Sequence, residues 1–506
     1  MKKICSLTFF LLVFISVKGQ NLNEHWRPDF HFSPEKNWTN DPNGLIFLDG
    51  EYHLFYQFNP FENKWGHMSW GHAVSKDLIK WEHLPVAIPE DSVWIFSGST
   101  VIDKNNSSGL DNGNGNCMVA IYTADYHNGK KEAQYLAYSN DKGRTWEKYA
   151  GNPVLDLNAK DFRDPNVFWH EKTKQWIMSV VLPTEYKVLF YGSPNLKNWN
   201  KLEEFGNQGD VRKIWECPSL TQFAVDGDST KTKWLLMVSS NGPEQDFAGV
   251  QYFIGDFDGK SFKNDNTPDT KLYVDYGKDF YASIPWNNAT QNQKLMLGWM
   301  LNWKYAENQP TFPWKGQMSV PRQIALKTFP EGVRLTQLPV EQFTPADSYR
   351  FFEKKDFVHT KEKLLNGSTL FAKNAYIIEA DLTIKSSRDF GFKIAQNLNK
   401  EGKATQETIV GYDVKKQQLY LDRTNSGKII SPDFASVDKT FLKIDNKRLR
   451  LKIVVDKMSV EVFANDGAVA ITSLIFPDPK ATAFSLFCKK GKIKVNSLKI
   501  WDLSKK

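Results

Sequence analysis

Three carboxylates in this chain each stand beside a proline and immediately before a short apolar stretch. Asp41-Pro42-Asn43-Gly44 runs into Leu45–Leu48, Asp164-Pro165-Asn166 into Val167–Trp169, and Glu216-Cys217-Pro218 into Ser219–Phe223. Taken singly, an Asp-Pro pair is a common turn former with no chemical duty. Three carboxylates gathered in one wet pocket would be different, because they repel one another unless their charge states differ or a ligand engages them. Glycosidic cleavage is the reaction class that uses such a set. One carboxylic acid protonates the leaving oxygen, a carboxylate attacks or activates water, and the oxocarbenium-like transition state rewards further negative charge. Whether the three meet depends on the elements that carry them.

From about residue 40 to 340 the chain alternates apolar and polar residues in short runs with no long helical period, the pattern of an all-β architecture. A repeat lies within it. Ala73-Val-Ser-Lys-Asp-Leu-Ile-Lys-Trp81 is echoed by Ala137–Trp146, by Tyr191–Trp199 and, more weakly, by Ile254–Phe262. The closing aromatics recur at intervals of 65, 53 and 63 residues. A local signature with that period predicts propeller blades of four strands. Four marks plus the later strands near Leu295–Asn302 predict five blades over residues 25–340, in preference to a sandwich with coincidentally similar hairpins. The acids precede the repeat aromatics by 40, 35 and 46 residues (to Trp81, Trp199 and Phe262), which puts all three at the same place, the start of an innermost strand. Innermost strands line the axis, so the three side chains are expected to converge at one mouth of the central channel.

Leu338–Phe351, with two prolines and mixed charge, reads as a linker, assigned to residues 341–351. A second β-rich region follows over 352–506, with alternation in Ala375–Thr383, Leu449–Val455, Ser459–Phe463 and Ala483–Phe487 and a tight turn at Asn465-Asp466-Gly467. Its length and spacing predict a β-sandwich. It shows no obvious catalytic cluster, and with no exposed aromatic row to be argued from its sequence, a brace for the propeller is favoured over a sugar-binding module.

The whole chain sets the remaining bounds. Its 506 residues call for more than one domain. Lys2 and Lys3, the apolar run Ile4–Val17 and Lys18-Gly19-Gln20 read as a signal peptide over residues 1–19, so the protein is expected to be exported, periplasmic or secreted, without stable membrane insertion. Loss of Lys2, Lys3 and Lys18 takes the formal charge from +7 to +4, and the remaining cations are interspersed with acids, which argues against nucleic acid binding. Cys117, Cys217 and Cys488 form no disulfide framework and no zinc spacing. His67 and His72 have no evident third partner, and neither a metal nor another cofactor is required by the proposed chemistry. Protein partners are not indicated by the sequence. Aromatics make up 14% of the chain, a content that suits sheet packing and the stacking of sugar rings alike.

At the acids the resemblance becomes specific. Asn37-Trp-Thr-Asn-Asp-Pro-Asn-Gly44 resembles the N-terminal signature of glycoside hydrolase family 32, the invertases, inulinases and levanases. Phe162-Arg-Asp-Pro165 is similar to its Arg-Asp-Pro motif and Trp215-Glu-Cys-Pro218 to its Glu-Cys motif. Tyr56–Pro60, Trp70–Ala73, Phe96–Ser99, Gly298–Trp303 and Val460–Gly467 match further. The resemblance implies a five-bladed β-propeller followed by a β-sandwich, and a retaining double displacement on β-fructosides. It assigns Asp41 as nucleophile, Glu216 as acid/base and Asp164 as the carboxylate that binds fructose hydroxyls and stabilises the transition state. It places Asn40, Gln57, Trp65, Phe96, Ser97, Arg163 and Trp303 around the fructose.

Thr39 stands where many members carry Met, and Ser69 where His is frequent; neither replaces an acid, and both bear on substrate preference. The expected activity is release of fructose, exo-acting, from levan, inulin, fructo-oligosaccharides or sucrose. The rivals are a fructosyltransferase sharing the intermediate, an inverting propeller hydrolase acting on another furanoside such as arabinan, and a sugar-binding protein without activity.

Overall fold

The computed structural model describes residues 24–503 except 114, 128, 245, 290–292, 344–349 and 366–373. The signal segment and most of the linker lie outside the described residues. Among those described, every regular element is a β-strand or a one-turn 3-10 helix, and no helix is long and apolar enough to cross a membrane.

The first half of the chain folds as five blades. Blade one comprises Asn37–Leu48, Glu51–Asn59, Ser69–Ser75 and Glu82–Ile88; blade two comprises Trp94–Ile102, Met118–Asp125, Glu132–Ser139 and Glu147–Lys148. Blade three is Arg163–His170, Gln175–Leu182, Lys187–Ser193 and Asn200–Gly206, and blade four Glu216–Val225, Asp228–Asn241, Ala248–Phe257 and Phe262–Asn264. Blade five is built from Tyr281–Pro285, Leu295–Trp299, Arg322–Phe329 and Gly332–Pro339. The first strand of each blade packs on the first strand of the next, and the fifth returns to the first through the Ile46–Asn287 bridge. Trp314–Lys315, a strand from the fifth-blade region, pairs parallel with Asn37–Trp38 and so joins the last blade to the first.

The repeat seen in the sequence has a local cause. Its Asp or Asn lies in the connection from the third to the fourth strand and caps the backbone there. Asp77 Oδ1 accepts the Ile79 and Lys80 amides, Asp141 Oδ1 that of Thr145, Asn195 Oδ1 those of Lys197 and Asn198, and Asp258 Oδ1 those of Lys260 and Ser261. An acceptor two to four residues ahead of unpaired amides makes the turn self-sufficient. Blade five, which lacks the mark, turns instead at Pro330-Glu331-Gly332, where Gly332 takes φ +115°.

The apolar core lies between blades. Phe55, Trp70 and Tyr122 fill the space between blades one and two, and Val119, Met178 and Leu189 that between two and three. Phe190, Trp215 and Phe253 pack between three and four, and Met237, Tyr252 and Ile324 between four and five. This is why the blade sequences are apolar on both faces.

Two six-stranded sheets stack in the second half, one running from Arg350–His359 through Ile493–Asp502 to Val469–Leu474, the other from Lys363–Leu364 to Val437–Phe441. The chain is therefore all-β, a propeller followed by a sandwich. The sandwich is fastened to the propeller by buried charge. Arg322 of blade five donates to Asp275 (2.9 Å), Gln337 (2.6 Å), Glu461 (2.5 Å) and Thr472 (2.6 Å), and Arg423 of the sandwich engages Asp279 and Tyr305. His31 places one ring nitrogen 2.8 Å from Asp456 and the other 2.9 Å from Glu461. The turn at Asn465-Asp466-Gly467 also docks on the propeller: a Cβ at Gly467, whose φ is +82°, would lie 2.1 Å from the Gln337 carbonyl oxygen. Cys117, Cys217 and Cys488 are buried free thiols.

Candidate active site

All five inner strands begin with the same irregularity. Pairing slips between Thr39 and Pro42, Ile95 and Gly98, Arg163 and Asn166, Glu216 and Ser219, and Tyr281 and Ile284. Each slip leaves two residues outside the ladder: Asn40-Asp41, Phe96-Ser97, Asp164-Pro165, Cys217-Pro218 and Ala282-Ser283. Bulges bend a strand and re-aim its side chains. Proline fits where no ladder N–H is needed, which suits Pro165 and Pro218 inside their slips, while Pro42 closes the slip of blade one. Asp164 (φ +65°), Cys217 (φ +46°) and Ala282 (φ +52°) take the left-handed conformation at the equivalent step of blades three, four and five.

This register corrects one expectation. The three acids do not hold the same place in their blades. Glu216 is the last paired residue, equivalent to Arg163 and Tyr281; Asp164 is the first unpaired residue, equivalent to Cys217; Asp41 is the second. Convergence is nevertheless achieved. One cavity of about 420 Å³ is lined by Asn40, Asp41, Gln57, Trp65, Phe96, Ser97, Arg163, Asp164, Glu216 and Trp303, the full set named from the sequence.

Each carboxyl has its own setting. Asp41 Oδ1 accepts from Asn40 Nδ2 at 3.0 Å and Oδ2 from Ser97 Oγ at 2.8 Å, so a neighbouring blade orients it. Trp38 Nε1 in turn fixes Asn40 Oδ1 at 2.8 Å. Glu216 Oε1 accepts from Arg163 Nε and Nη2, both at 3.1 Å, and Oε2 from the Tyr281 hydroxyl at 2.6 Å. Asp164 Oδ2 accepts the Cys217 amide at 2.9 Å, and its own amide is held by Thr123 Oγ1 at 2.9 Å. The Cys217 thiol lies 3.4 Å from Asp41 Oδ2 and 3.7 Å from Asp164 Oδ2, bridging the two.

The charge states separate accordingly. Loss of solvent pushes the Asp164 carboxyl up to about 8; Arg163 opposes the rise, and Glu216 and Asp41 add to it. Burial and the Glu216 charge also raise Asp41, against hydrogen bonds from Asn40, Ser97 and Cys217 that favour its ionised form. A neutral Asp164 relieves the repulsion that three clustered carboxylates would otherwise carry.

Trp65 and Trp303, 42% and 41% exposed, present open indole surface at the rim. Trp303 is backed by Trp38, with ring centroids 6.0 Å apart and planes 25° apart. Gln57 Nε2 is held by Asn43 Oδ1 (2.8 Å) and the Ile95 carbonyl (3.0 Å). Thr39 and Ser69 are buried behind the wall: Thr39 bonds the Gln57 carbonyl and Ser69 Oγ accepts the Glu90 amide. His67 pairs with Glu90 and His72 with His53. Among the described residues no group of three or more His, Cys, Asp or Glu could hold a metal ion.

Two functional neighbours escaped sequence reasoning. Tyr281 sits at the blade-five equivalent of Arg163 and Glu216, but that blade lacks the repeat mark and its first proline, Pro285, comes four residues later, beyond the slip. Glu132, the first residue of the third strand of blade two, grips Arg163 from behind at 3.0 Å. A carboxylate with donors fixed on both oxygens, facing a second carboxyl across a small cavity with aromatic walls, can attack an electrophilic carbon while its partner moves a proton.

Comparison with known proteins points the same way. The family model described as Glycosyl hydrolases family 32 N-terminal domain matches residues 31–339, and that described as Glycosyl hydrolases family 32 C terminal matches residues 344–502. The chain is 46% identical over 494 residues to a levanase of Bacillus subtilis (strain 168), covering 96% of this chain and 71% of that one. It is 37% identical over 516 residues to an extracellular exo-inulinase of Aspergillus awamori, covering 94% of both. The crystal structure of exo-inulinase from Aspergillus awamori superposes with a TM-score of 0.89 at 35% identity, covering 95% of this chain and 99% of that one.

Proposed function

The chain belongs to glycosyl hydrolase family 32, and on that premise we propose that it is an exported, retaining β-fructosidase that removes single fructose units from chain ends through a covalent fructosyl-enzyme. Asp41 attacks the anomeric carbon of the terminal fructose while Glu216 gives its proton to the departing glycosidic oxygen. Glu216 then takes a proton from water, the water oxygen bonds to the anomeric carbon, and Asp41 leaves as carboxylate. Asp164, whose carboxyl is raised by burial, binds fructose hydroxyls and stabilises the transition state. Arg163, Asn40, Gln57, Ser97 and Phe96 complete the subsite, and Trp65 and Trp303 stack at its rim.

The observation that carries this reading is the setting of Asp41. Both of its oxygens are occupied by donors, Asn40 at 3.0 Å and Ser97 at 2.8 Å, which leaves it oriented and no longer free to relax. Such preorganisation costs nothing at the moment of reaction. Exo action is supported by the size of the cavity, which suits one ring, and by the exo-inulinase among its relatives. The levanase and inulinase relatives support fructans as substrates, with fructo-oligosaccharides and sucrose as shorter members of the class. Export is supported by the N-terminal signal reading and by the extracellular relative. The sandwich serves as a brace.

Chromatography of products from levan, inulin and sucrose tests the proposal. Free fructose as the first product from each polymer is expected. A ladder of oligosaccharides would refute exo action, longer fructosides from concentrated sucrose would favour the transferase, and arabinose from arabinan with no fructose from fructans would refute the substrate class.

A further inference from the structure

We infer that Glu132, which lies outside the pocket, is a positioning residue for the acid/base: it shares the Arg163 guanidinium with Glu216, so that one cation is divided between two carboxyls. The inference rests on the reading of Glu216 as acid/base.

Glu132 opens the third strand of blade two and is 5% exposed. A carboxylate so buried is costly unless paired and hydrogen-bonded. It is both. Oε1 accepts Arg163 Nη1 at 3.0 Å; Oε2 accepts the same nitrogen at 3.3 Å and the Phe162 amide at 2.6 Å. Glu132 therefore clamps the backbone and the side chain of the residues that open blade three. Arg163 meets Glu216 through its other edge, Nε and Nη2. One guanidinium thus bridges two carboxyls from blades two and four, a geometry its planar fork of donors suits.

One other carboxylate touches the bridge. Asp161 Oδ1 reaches Arg163 Nη1 at 3.2 Å from a more exposed position. Asp164 acts on Arg163 through space, and so does Asp125, which pairs with Glu132 across the hairpin and accepts the His127 amide. On the pocket side Glu216 faces Tyr281, Asp41, Asp164 and the Cys217 thiol. Of the two carboxylates on Arg163 Nη1, Glu132 is the buried one.

The consequence has a definite sign. With Glu132 neutralised, Arg163 keeps only the more exposed Asp161 on its far edge, more of its charge is directed at Glu216, and a nearby negative charge is gone. Both changes favour the carboxylate of Glu216, so the proton needed by the leaving group is lost at lower pH.

The test is the pH dependence of kcat/KM on sucrose for the wild type, Glu132→Gln, Glu132→Asp and Glu216→Ala. The alkaline limb of Glu132→Gln is expected to move down by about one pH unit, with KM changed less than about threefold. Glu132→Asp, which keeps the charge on a shorter arm, should fall between it and the wild type. A limb position does not depend on the fraction of folded enzyme, so a Glu132→Gln that loses melting temperature and active protein while its limb stays at the wild-type pH would overturn the inference. If Glu132→Gln does not fold, the limb of Glu132→Asp decides, and a limb displaced to higher pH overturns it. Glu216→Ala that keeps wild-type activity and its alkaline limb would instead overturn the acid/base reading beneath it.

Discussion

The Tyr281 hydroxyl, carried by blade five, donates to Glu216 Oε2 at 2.6 Å across the boundary with blade four. Burial holds the Tyr281 proton well above the ordinary tyrosine range, so it stays a donor throughout the working pH of a glycosidase. With Arg163 on the other oxygen, the plane of the Glu216 carboxyl is set by two different blades. A hydrogen bond to a charged group contributes about 1.5–3 kcal/mol. Tyr281→Phe is therefore predicted to lower kcat by about 10–100-fold. Because Tyr281 does not line the cavity, KM should stay within about threefold. Steady-state kinetics on sucrose check this, and a change confined to KM would contradict it.

Ser97 bears on Asp41 in the opposite electrostatic sense. Its hydrogen bond favours the ionised carboxylate against the desolvation that raises Asp41. In Ser97→Ala that opposition weakens, Asp41 binds its proton more tightly, and the acidic limb of kcat/KM moves to higher pH by about one unit. The alkaline limb should not move, which separates this effect from a general loss of activity.

His31 predicts a pH dependence of stability instead of rate. Burial alone would lower it, but the hydrogen bonds and charges of Asp456 and Glu461 raise it to about 9 from 6.5. A group whose folded value is raised stabilises fully below its unfolded value, and that contribution drains away as pH rises from about 6.5 to about 9. Asp456 and Glu461 are held low in the fold, so their contribution is lost on acidification instead. Melting temperature should therefore fall between pH 6.5 and 9 in the wild type, and the part of this slope due to His31 should vanish in His31→Gln.

Glu461 joins His31 of the N-terminal segment to Arg322 of blade five. Glu461→Gln takes one of two carboxylates from each buried cation, leaving His31 with Asp456 and Arg322 with Asp275, and is predicted to cost about 1.5–3 kcal/mol. A chain ended after residue 343 would uncover Phe30, Tyr305 and Phe343 together with Arg322 and Asp279, all buried here against the sandwich. It is expected to aggregate on expression, and a soluble, fully active propeller would refute the bracing role.

Much of this was legible in the sequence for reasons the structure makes concrete. The repeat could be read because Asp77, Asp141, Asn195 and Asp258 each cap a connection at the same step of a blade. The acids could be read because a bulge admits proline beside them. Tyr281 and Glu132 could not, since neither shares a local pattern with its partner: each is brought to the site by the closing of the ring, 65 residues and 84 residues in sequence from Glu216. The assumption of equal placement failed because a two-residue bulge offers three usable positions, and the three acids take one each. The His31–Asp456–Glu461 contact spans 425 residues or more and leaves no mark on local composition.

The account turns on Asp41 as the atom that holds the fructose. Glu216→Ala, given a fructoside whose leaving group needs no proton, should form the intermediate faster than water can remove it. Rapid acid quenching, digestion and mass spectrometry of the peptide bearing Asn37–Gly44 then gives the answer. The account predicts that this peptide is heavier by one fructosyl unit, with fragmentation placing the mass on Asp41. Free fructose formed with no labelled peptide at any time, or a label on Asp164, would contradict it.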